Sequence, residues 1–193
     1  VGKTIGYSVS ANIGQWMSSA IGLRAGINLT NAAWTKASET TSLLGKSGIS
    51  LDAMLNPFGF TRHYNWDSPV GLNLYGGYEL GQLQLVHTNI NDKTSGRYAG
   101  YRLGAQFWVK ITNDLRLTFE PNYILIEHFD RPDGRMKYSQ TDFKLGLAVL
   151  FRNKLQRNYD VNNAKNDLPE SGFFMGGGFG WNTTIYKWRY TGK

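Results

Sequence analysis

The sequence predicts an all-β fold, an antiparallel transmembrane β-barrel of at least eight strands. Between Thr4 and Gly14 every second residue is apolar, and the residues in between are small or polar. The same alternation returns at 21–29, 101–110 and 142–151. A wholly apolar row beside a polar row is typical of strands that face lipid on one side. No run approaches the roughly 20 apolar residues of a membrane helix.

The bulk composition fits one barrel domain spanning residues 1–193. A mean hydropathy of −0.38 is low, but a polar lumen row cancels a lipid-facing row in such an average. The 23 glycines and 14% aromatic content suit tight lumen packing and interfacial aromatic girdles. With no cysteine, disulfides and thiolate metal sites are excluded.

Period-two alternation and turn residues divide the chain into eight predicted strands. The first four carry the apolar rows that begin at Ile5, Ile21, Ile49 and Val70. Of the last four, the fifth, sixth and seventh carry the rows that begin at Tyr101, Leu115 and Phe143, and Pro121 within the sixth predicts a bulge because it lacks an N–H. The predicted ranges are 4–14, 20–29, 48–56, 69–87, 98–110, 115–126, 138–151 and 172–190.

The connections are predicted to differ in length. Segments 15–19 and 111–114 are tight, whereas 30–47, 87–97 and 127–137 are longer and more polar, as expected of external loops. With the tight turns in the periplasm, segments 57–68 and 152–171 are periplasmic too, and both chain ends lie outside. Because single-chain bacterial barrels normally begin and end in the periplasm, we expect a chain that is incomplete at both ends and belongs to a larger barrel.

A soluble, lipocalin-like barrel has the same period with its faces exchanged. The polar rows here are rich in Gly, Ser, Ala and Asn, which suit a crowded concave lumen better than a solvated surface. The clearest apolar rows hold no charge, as expected if a midplane Arg or Lys costs about 2–4 kcal/mol. The membrane barrel is the favoured interpretation.

Several stretches resemble the outer-membrane β-barrel family of Bacteroidota, in the style of the OmpA membrane domain. They are SSAIGLRAGINL (18–29), SLDAMLNPFG (50–59), SPVGLNLYGGYELG (68–81), YRLGAQFWVKITNDLRLTFEPN (101–122) and FKLGLAVLFR (143–152). The resemblance implies the bacterial outer membrane as location, with outer-membrane lipid, lipopolysaccharide and other outer-membrane proteins as partners. Family members usually end soon after the strand that corresponds to 143–151, so the continuation to Tyr190 supports a larger barrel.

The inward rows contain a nearly balanced set of charges that we predict to form a lumen network. In a barrel of about eight strands, which is just wide enough for side chains, such a set forms a plug of ion pairs; in a wider barrel it lines a selective pore. The members are Arg24, Asp52, Glu79, Arg102, Lys110, Arg116, Glu120, Asp142 and Lys144.

The best catalytic candidate is the segment 127–134, where His128 lies near Glu127, Asp130 and Asp133. Residues 131–134, with Pro132 and Gly134, also make a good turn, and we favour that interpretation. His63 and His87 lack further metal ligands. The serines Ser42, Ser47 and Ser95 lack a nucleophile elbow. The glycines 176–178 lack the rest of a phosphate loop, and we interpret these glycines as barrel packing. We name no catalytic residue, metal or cofactor.

The net charge of +7 raises the possibility of nucleic-acid binding, but the cations alternate with apolar residues or lie in connections, where lipid phosphates are the nearer anions. Aromatic residues, including Trp16, Trp108 and Tyr98, are expected at the two membrane interfaces. A sugar platform at Trp34 or Trp66 is the less favoured alternative.

The predicted function is therefore that of an outer-membrane structural or interaction subunit within a multiprotein assembly, and not of an enzyme. A porin or small-solute channel is the first alternative. An outer-membrane hydrolase with a loop-borne site is the second.

Overall fold

Eight strands and one short 3₁₀ helix make up the fold. The computed structural model describes residues 2–35, 41–61, 68–87, 92–131, 134–151 and 172–188. The strands are β1 (Gly2–Trp16), β2 (Ile21–Thr35), β3 (Thr41–Leu55), β4 (Val70–His87), β5 (Asp92–Lys110), β6 (Leu115–Arg131), β7 (Gly134–Phe151) and β8 (Gly172–Trp188), with the 3₁₀ helix at Pro57–Phe60. None of the described segments is a helix long and apolar enough to cross a membrane.

The strands form a closed antiparallel barrel in which each pairs with the next and β8 pairs with β1. Stepping between directly paired residues once around the barrel leads from Gly14 back to Thr4 of the same strand, an offset of ten residues. With eight strands, this stagger corresponds to a strand tilt of about 40°. Every strand is paired on both edges, so the larger barrel expected from the sequence is not shown; the continuation beyond Phe151 supplies β8, which closes the ring.

All eight predicted strands are present, but five of them extend further toward one end of the barrel. Strands β2, β3, β5, β6 and β7 continue to Thr35, Thr41, Asp92, Arg131 and Gly134, beyond the ranges predicted for them. In these extensions the outward residues whose side chains the structure describes are polar or glycine, as at Asn31, Ser47 and Arg97. The alternation that identifies a half-apolar strand is lost there, although the backbone pairing continues.

The relative lengths of the connections were predicted wrongly, because those extensions had been assigned to loops. Between the strand ends only residues 36–40, 88–91 and 132–133 remain, at what we call the hairpin end of the barrel. The opposite end, which we call the turn end, carries the short connections 17–20 and 111–114 and the longer ones 56–69 and 152–171.

Side chains alternate strictly between the barrel's interior and its outer surface. The outward rows of all eight strands expose large apolar side chains, among them Ile5 at 71%, Ile49 at 68% and Leu103 at 68%. The inward rows contain buried polar and charged residues such as Arg24, Glu79 and Lys144. The barrel therefore carries its buried charges inside and an apolar surface outside.

Pro121 does not produce the predicted bulge. It pairs in register with Phe143 of β7, and the β5–β6 register runs from Gly104↔Asn122 to Phe107↔Phe119 without a shift. The missing N–H of proline thus interrupts hydrogen bonding locally without inserting a residue. The register shifts of β6 lie nearer the hairpin end, opposite Ala99 and Gly100 and after Ile126.

Glycines make room for the large side chains of the lumen. In the part of the chain that the structure describes, all five buried aromatic residues face a glycine on the neighbouring strand. A Cβ atom on any of these glycines would lie between 2.2 and 2.9 Å from the facing ring. The pairs are Trp16 with Gly22, Phe174 with Gly14, Tyr75 with Gly104, Tyr98 with Gly81, and Trp108 with Gly71.

We predict that Gly71→Ala lowers the free energy of unfolding by about 1–3 kcal/mol, the usual cost of overpacking. The added methyl would lie 2.2 Å from Cζ2 of Trp108, whose ring is held in place because the Arg116 guanidinium lies 3.7 Å from its centroid. Gly76→Ala is the control on the same strand, because its methyl would meet nothing closer than Leu103 Cδ1 at 3.6 Å. Urea unfolding of the two variants tests this, and equal stability would contradict the account.

Candidate functional site: the ion-paired lumen

The structure brings eight of the nine predicted lumen residues into the barrel interior. Lys110 is only half-buried and lies beside the turn end, where it pairs in register with Arg116. The eight that are buried are Arg24, Asp52, Glu79, Arg102, Arg116, Glu120, Asp142 and Lys144.

Arg24 connects two opposite walls of the barrel. Its Nη2 donates to Asp52 Oδ2 of the adjacent β3 at 2.9 Å, and its Nη1 donates to Glu120 Oε2 at 3.1 Å. Glu120 is on β6, four strands from β2 in either direction around the ring. The guanidinium also lies 4.0 Å from the centroid of the Tyr75 ring. One side chain thus crosses the lumen and is bound at both sides.

Glu79 is the centre of a second set of contacts. Its Oε1 lies 2.8 Å from Lys46 Nζ and accepts a hydrogen bond from Tyr98 Oη at 2.6 Å. Its Oε2 accepts bonds from Arg102 Nη1 and Asn28 Nδ2, both at 3.1 Å. This carboxylate is fully buried, and four donors compensate the loss of its hydration.

Lys46 was missed by the sequence prediction. It is buried in the lumen, but it was assigned to the connection 30–47 because its outward neighbours Gly45 and Ser47 are not apolar. The parity of the strand would have identified it, since Lys46 is in phase with the inward Asp52 of the same strand.

A third set of contacts joins β7 to β2 across β8 and β1. Lys144 Nζ donates to Asn28 Oδ1 at 3.1 Å and lies 3.9 Å from Asp142 Oδ2. Gln140 Nε2 donates to Asp142 Oδ1 and, at 3.4 Å, to Thr30 Oγ1. Because β8 and β1 present mostly glycine and serine to the lumen, these longer side chains reach over them.

An apolar cluster fills the lumen toward the turn end. It consists of Trp16, Met54, Tyr75, Leu150 and Phe174, all buried. It lies next to the charged layer, since Tyr75 belongs to the cluster and also contacts Arg24. The interior therefore contains an ion-pair layer above an aromatic layer, and side chains occupy both.

Within the described residues, five buried cations and four buried anions fill the lumen: Arg24, Lys46, Arg102, Arg116 and Lys144, against Asp52, Glu79, Glu120 and Asp142. Nearly balanced, mutually bonded charges hold one another in place and leave little freedom for a passing solute. The same part of the chain has no group of three His, Cys, Asp or Glu residues that could hold a metal ion.

Several other candidates lie outside the described residues or side chains. Residues 62–67 include His63 and Trp66, and the side chains of Trp34, Ser42, His87 and 127–138 are not described. Of the remaining serines, Ser47 and Ser95 are exposed on the outer wall. Gly176 and Gly178 belong to the inward row and Gly177 to the outward row of β8.

The assignment of Trp16, Trp108 and Tyr98 to interfacial girdles is wrong. All three are buried in the lumen, where they face the glycines named above. Their position near strand ends suggested an interface, but in this barrel the parity of the residue decides which face it joins. Trp181, by contrast, is outward and half-exposed.

Comparison with known proteins identifies no family for this chain. No family model matches it. No curated protein matches it either. Among solved structures, it overlaps with Ail, the attachment invasion locus protein of Yersinia pestis, at 7% identity, over 96% of this chain and 100% of that one, with a TM-score of 0.35. At that score the likeness carries no argument, and the fold assignment here depends on the strand pairing.

We predict that Arg24→Met lowers the free energy of unfolding by about 3–5 kcal/mol, because it leaves Asp52 and Glu120 buried without their shared cation. Lys110→Met is the control and changes stability by less than about 1 kcal/mol, as is usual for a charge near the surface. Equilibrium unfolding in urea measures both.

If Arg24→Met does not fold, Arg24→Lys provides the measurement, since it keeps the charge but loses the planar fork. Its free energy of unfolding should be lower than that of the wild type and of Lys110→Met, and higher than that of Arg24→Met. Stability equal to that of Lys110→Met would contradict a cross-lumen role for Arg24.

Proposed function

We propose that this chain spans the bacterial outer membrane as a closed barrel with an occluded lumen, and that it serves there as a structural or interaction subunit. The observation that carries the proposal is the combination of an apolar outer wall with an interior filled by bonded charges. Outer-membrane lipid, lipopolysaccharide and other outer-membrane proteins are its proposed partners. The resemblance to Bacteroidota barrels is consistent with this location.

The outer wall has the dimensions of a membrane belt. On β4 the apolar outward row runs from Val70 to Leu80, and on β5 it runs from Val109 to Ala99. Ten residues at about 3.3 Å each, tilted by about 40°, cover a height of about 25 Å. The apolar band of outer-membrane barrels has about this height.

If this barrel were surrounded by water, its polarity would be the inverse of that of a soluble protein. It would expose Ile5, Ile49 and Leu103 to water while burying Glu79 and Lys46. Soluble monomers rarely expose contiguous apolar patches above a few hundred Å², and here the apolar rows continue around all eight strands. Lipid as the surrounding medium removes that cost.

The strands project beyond the belt at the hairpin end, which supports the interaction role. On β4 the strand continues from Leu80 to His87, about 18 Å further along the barrel axis at the same rise and tilt. Several outward side chains that the structure describes in this zone are polar, namely Asn31, Ser47, Gln82 and Gln84. We propose that this polar collar is the surface presented to a partner.

A porin is the less favoured role, because Arg24 crosses the lumen and an aromatic cluster fills it toward the turn end. We do not propose an enzymatic role.

We predict that Leu103→Arg lowers the free energy of unfolding in lipid vesicles by about 2–4 kcal/mol, the cost of a cation at the membrane midplane. Gln84→Arg, four residues beyond Leu80 on the adjacent strand and paired with the neutral Ser95, should cost about 0–1 kcal/mol. Unfolding titrations of vesicle-bound protein measure the difference. A soluble barrel would tolerate both substitutions equally, so equal values would overturn membrane insertion.

The role is tested by isolating the full-length protein from the outer membrane in mild detergent and identifying what accompanies it. We expect stoichiometric co-purification with other outer-membrane proteins and no steady conductance when the barrel is inserted into planar bilayers. A lone barrel with a reproducible open conductance would overturn the subunit role and support the channel alternative.

A further inference from the structure

Three neighbouring strands change from apolar to polar on their outer face at the same rung. On β4 the outward residues are Tyr78 and Leu80, followed by Gln82 and Gln84. On β5 they are Tyr101 and Ala99, followed by Arg97 and Ser95, and on β3 Ile49 is followed by Ser47. This rung marks the upper border of the belt on that side of the barrel.

Ser47, Gln82 and Arg97 form one continuous row at this border, which we call the border row. Gln82 pairs directly with Ser47 on one side and with Arg97 on the other, and all three side chains are exposed. Direct cross-strand neighbours have Cβ atoms about 4.5–5.5 Å apart. A hydroxyl, a carboxamide and a guanidinium therefore point outward side by side, and all three can donate hydrogen bonds.

Arg97 carries the only charge on the outer wall, counting the strand residues whose side chains the structure describes. Its direct partner on β4 is the neutral Gln82, and the residues two positions along its own strand are Ser95 and Ala99. On the β6 side, the register that pairs Tyr98 with Phe129 places Asp130, whose side chain is not described, beside Arg97. The planar fork of a guanidinium matches the oxygens of a phosphate. A single cation at the edge of an apolar wall thus complements an anion at that same height.

The surface directly below the border row suits acyl chains rather than water. Tyr78 and Tyr101 face each other there in an edge-to-face contact with ring centroids 5.3 Å apart, and Leu80 lies between them and the row. A ligand that satisfies both levels has an anionic head and an apolar tail. Free phosphate would use only the upper level.

We infer that the border row, Ser47, Gln82 and Arg97, binds the headgroup phosphate of a membrane lipid whose acyl chain lies against Leu80, Tyr78 and Tyr101. This inference rests on the proposed membrane location. It adds a specific anionic-lipid site on the β3–β5 side of the barrel.

Native mass spectrometry of the purified barrel in maltoside micelles tests the site. The probes are dioleoylphosphatidylglycerol, dioleoylglycerol, which has the same chains without phosphate, and inorganic phosphate. We expect the phospholipid to bind and Arg97→Gln to weaken it roughly five- to tenfold, with Arg97→Lys in between. Thr183→Ala, an outward substitution on β8 at the far wall, should leave the affinity unchanged.

Three outcomes would overturn the site: equal binding of phosphatidylglycerol and dioleoylglycerol, no loss in Arg97→Gln, or inorganic phosphate binding as tightly as the phospholipid. Flotation of the wild type and Arg97→Gln with phosphatidylcholine vesicles separates this from the proposed function. If both proteins float, but the Arg97 variants bind phosphatidylglycerol as tightly as the wild type does, only the border row is rejected. If neither floats, the membrane location itself fails.

Discussion

The rest of the structure depends on pairing buried charges inside a narrow barrel. Eight strands leave an interior just wide enough for side chains, so the five cations and four anions buried among the described residues must compensate one another's charge across it. Arg24 does this most directly, by binding Asp52 beside it and Glu120 on the opposite wall. Long side chains can reach across the lumen only where other strands present small residues to it, and the inward glycines and serines of β1 and β8 leave that space.

The polarity of the lumen and that of the outer wall are two results of the same alternation. In the charged layer the inward residues are mostly charged, polar or small while the outward residues are apolar, so lipid can surround the outer wall without contacting the charges. Water around the barrel would leave the apolar outer wall exposed without hydrating the buried charges. Lipid outside and ion pairs inside satisfy both, which is why the membrane proposal and the occluded lumen support each other.

Much of this architecture could be predicted from residue parity. The alternation located all eight strands and put eight of the nine chosen charges in the interior. It failed where the outer row turns polar, because a strand with two polar faces looks like a loop; Lys46 was lost for that reason. It also failed for Trp16 and Tyr98, whose aromatic character suggested an interface although their parity is inward.

The remaining features depend on contacts that a single sequence does not encode locally. That Arg24 meets Glu120 follows from the ten-residue stagger of the barrel, which brings residues 96 positions apart in the chain to one level. The pairing of aromatic residues with glycines is likewise a matter of register between strands. Closure at eight strands depends on β8 meeting β1; a strand was predicted at 172–190, but its alternation alone does not say which strand it pairs with.

The most direct test of the central claim is the accessibility of spin labels on the outer wall. The chain has no cysteine, so single cysteines introduced at Ile27, Leu103 and Gln84 can be labelled specifically and the protein inserted into lipid vesicles. The account predicts that labels at Ile27 and Leu103 relax with oxygen and are protected from a water-soluble nickel chelate, whereas the label at Gln84 is reached by the chelate. Equal access of the chelate to all three positions would contradict a barrel that spans the membrane.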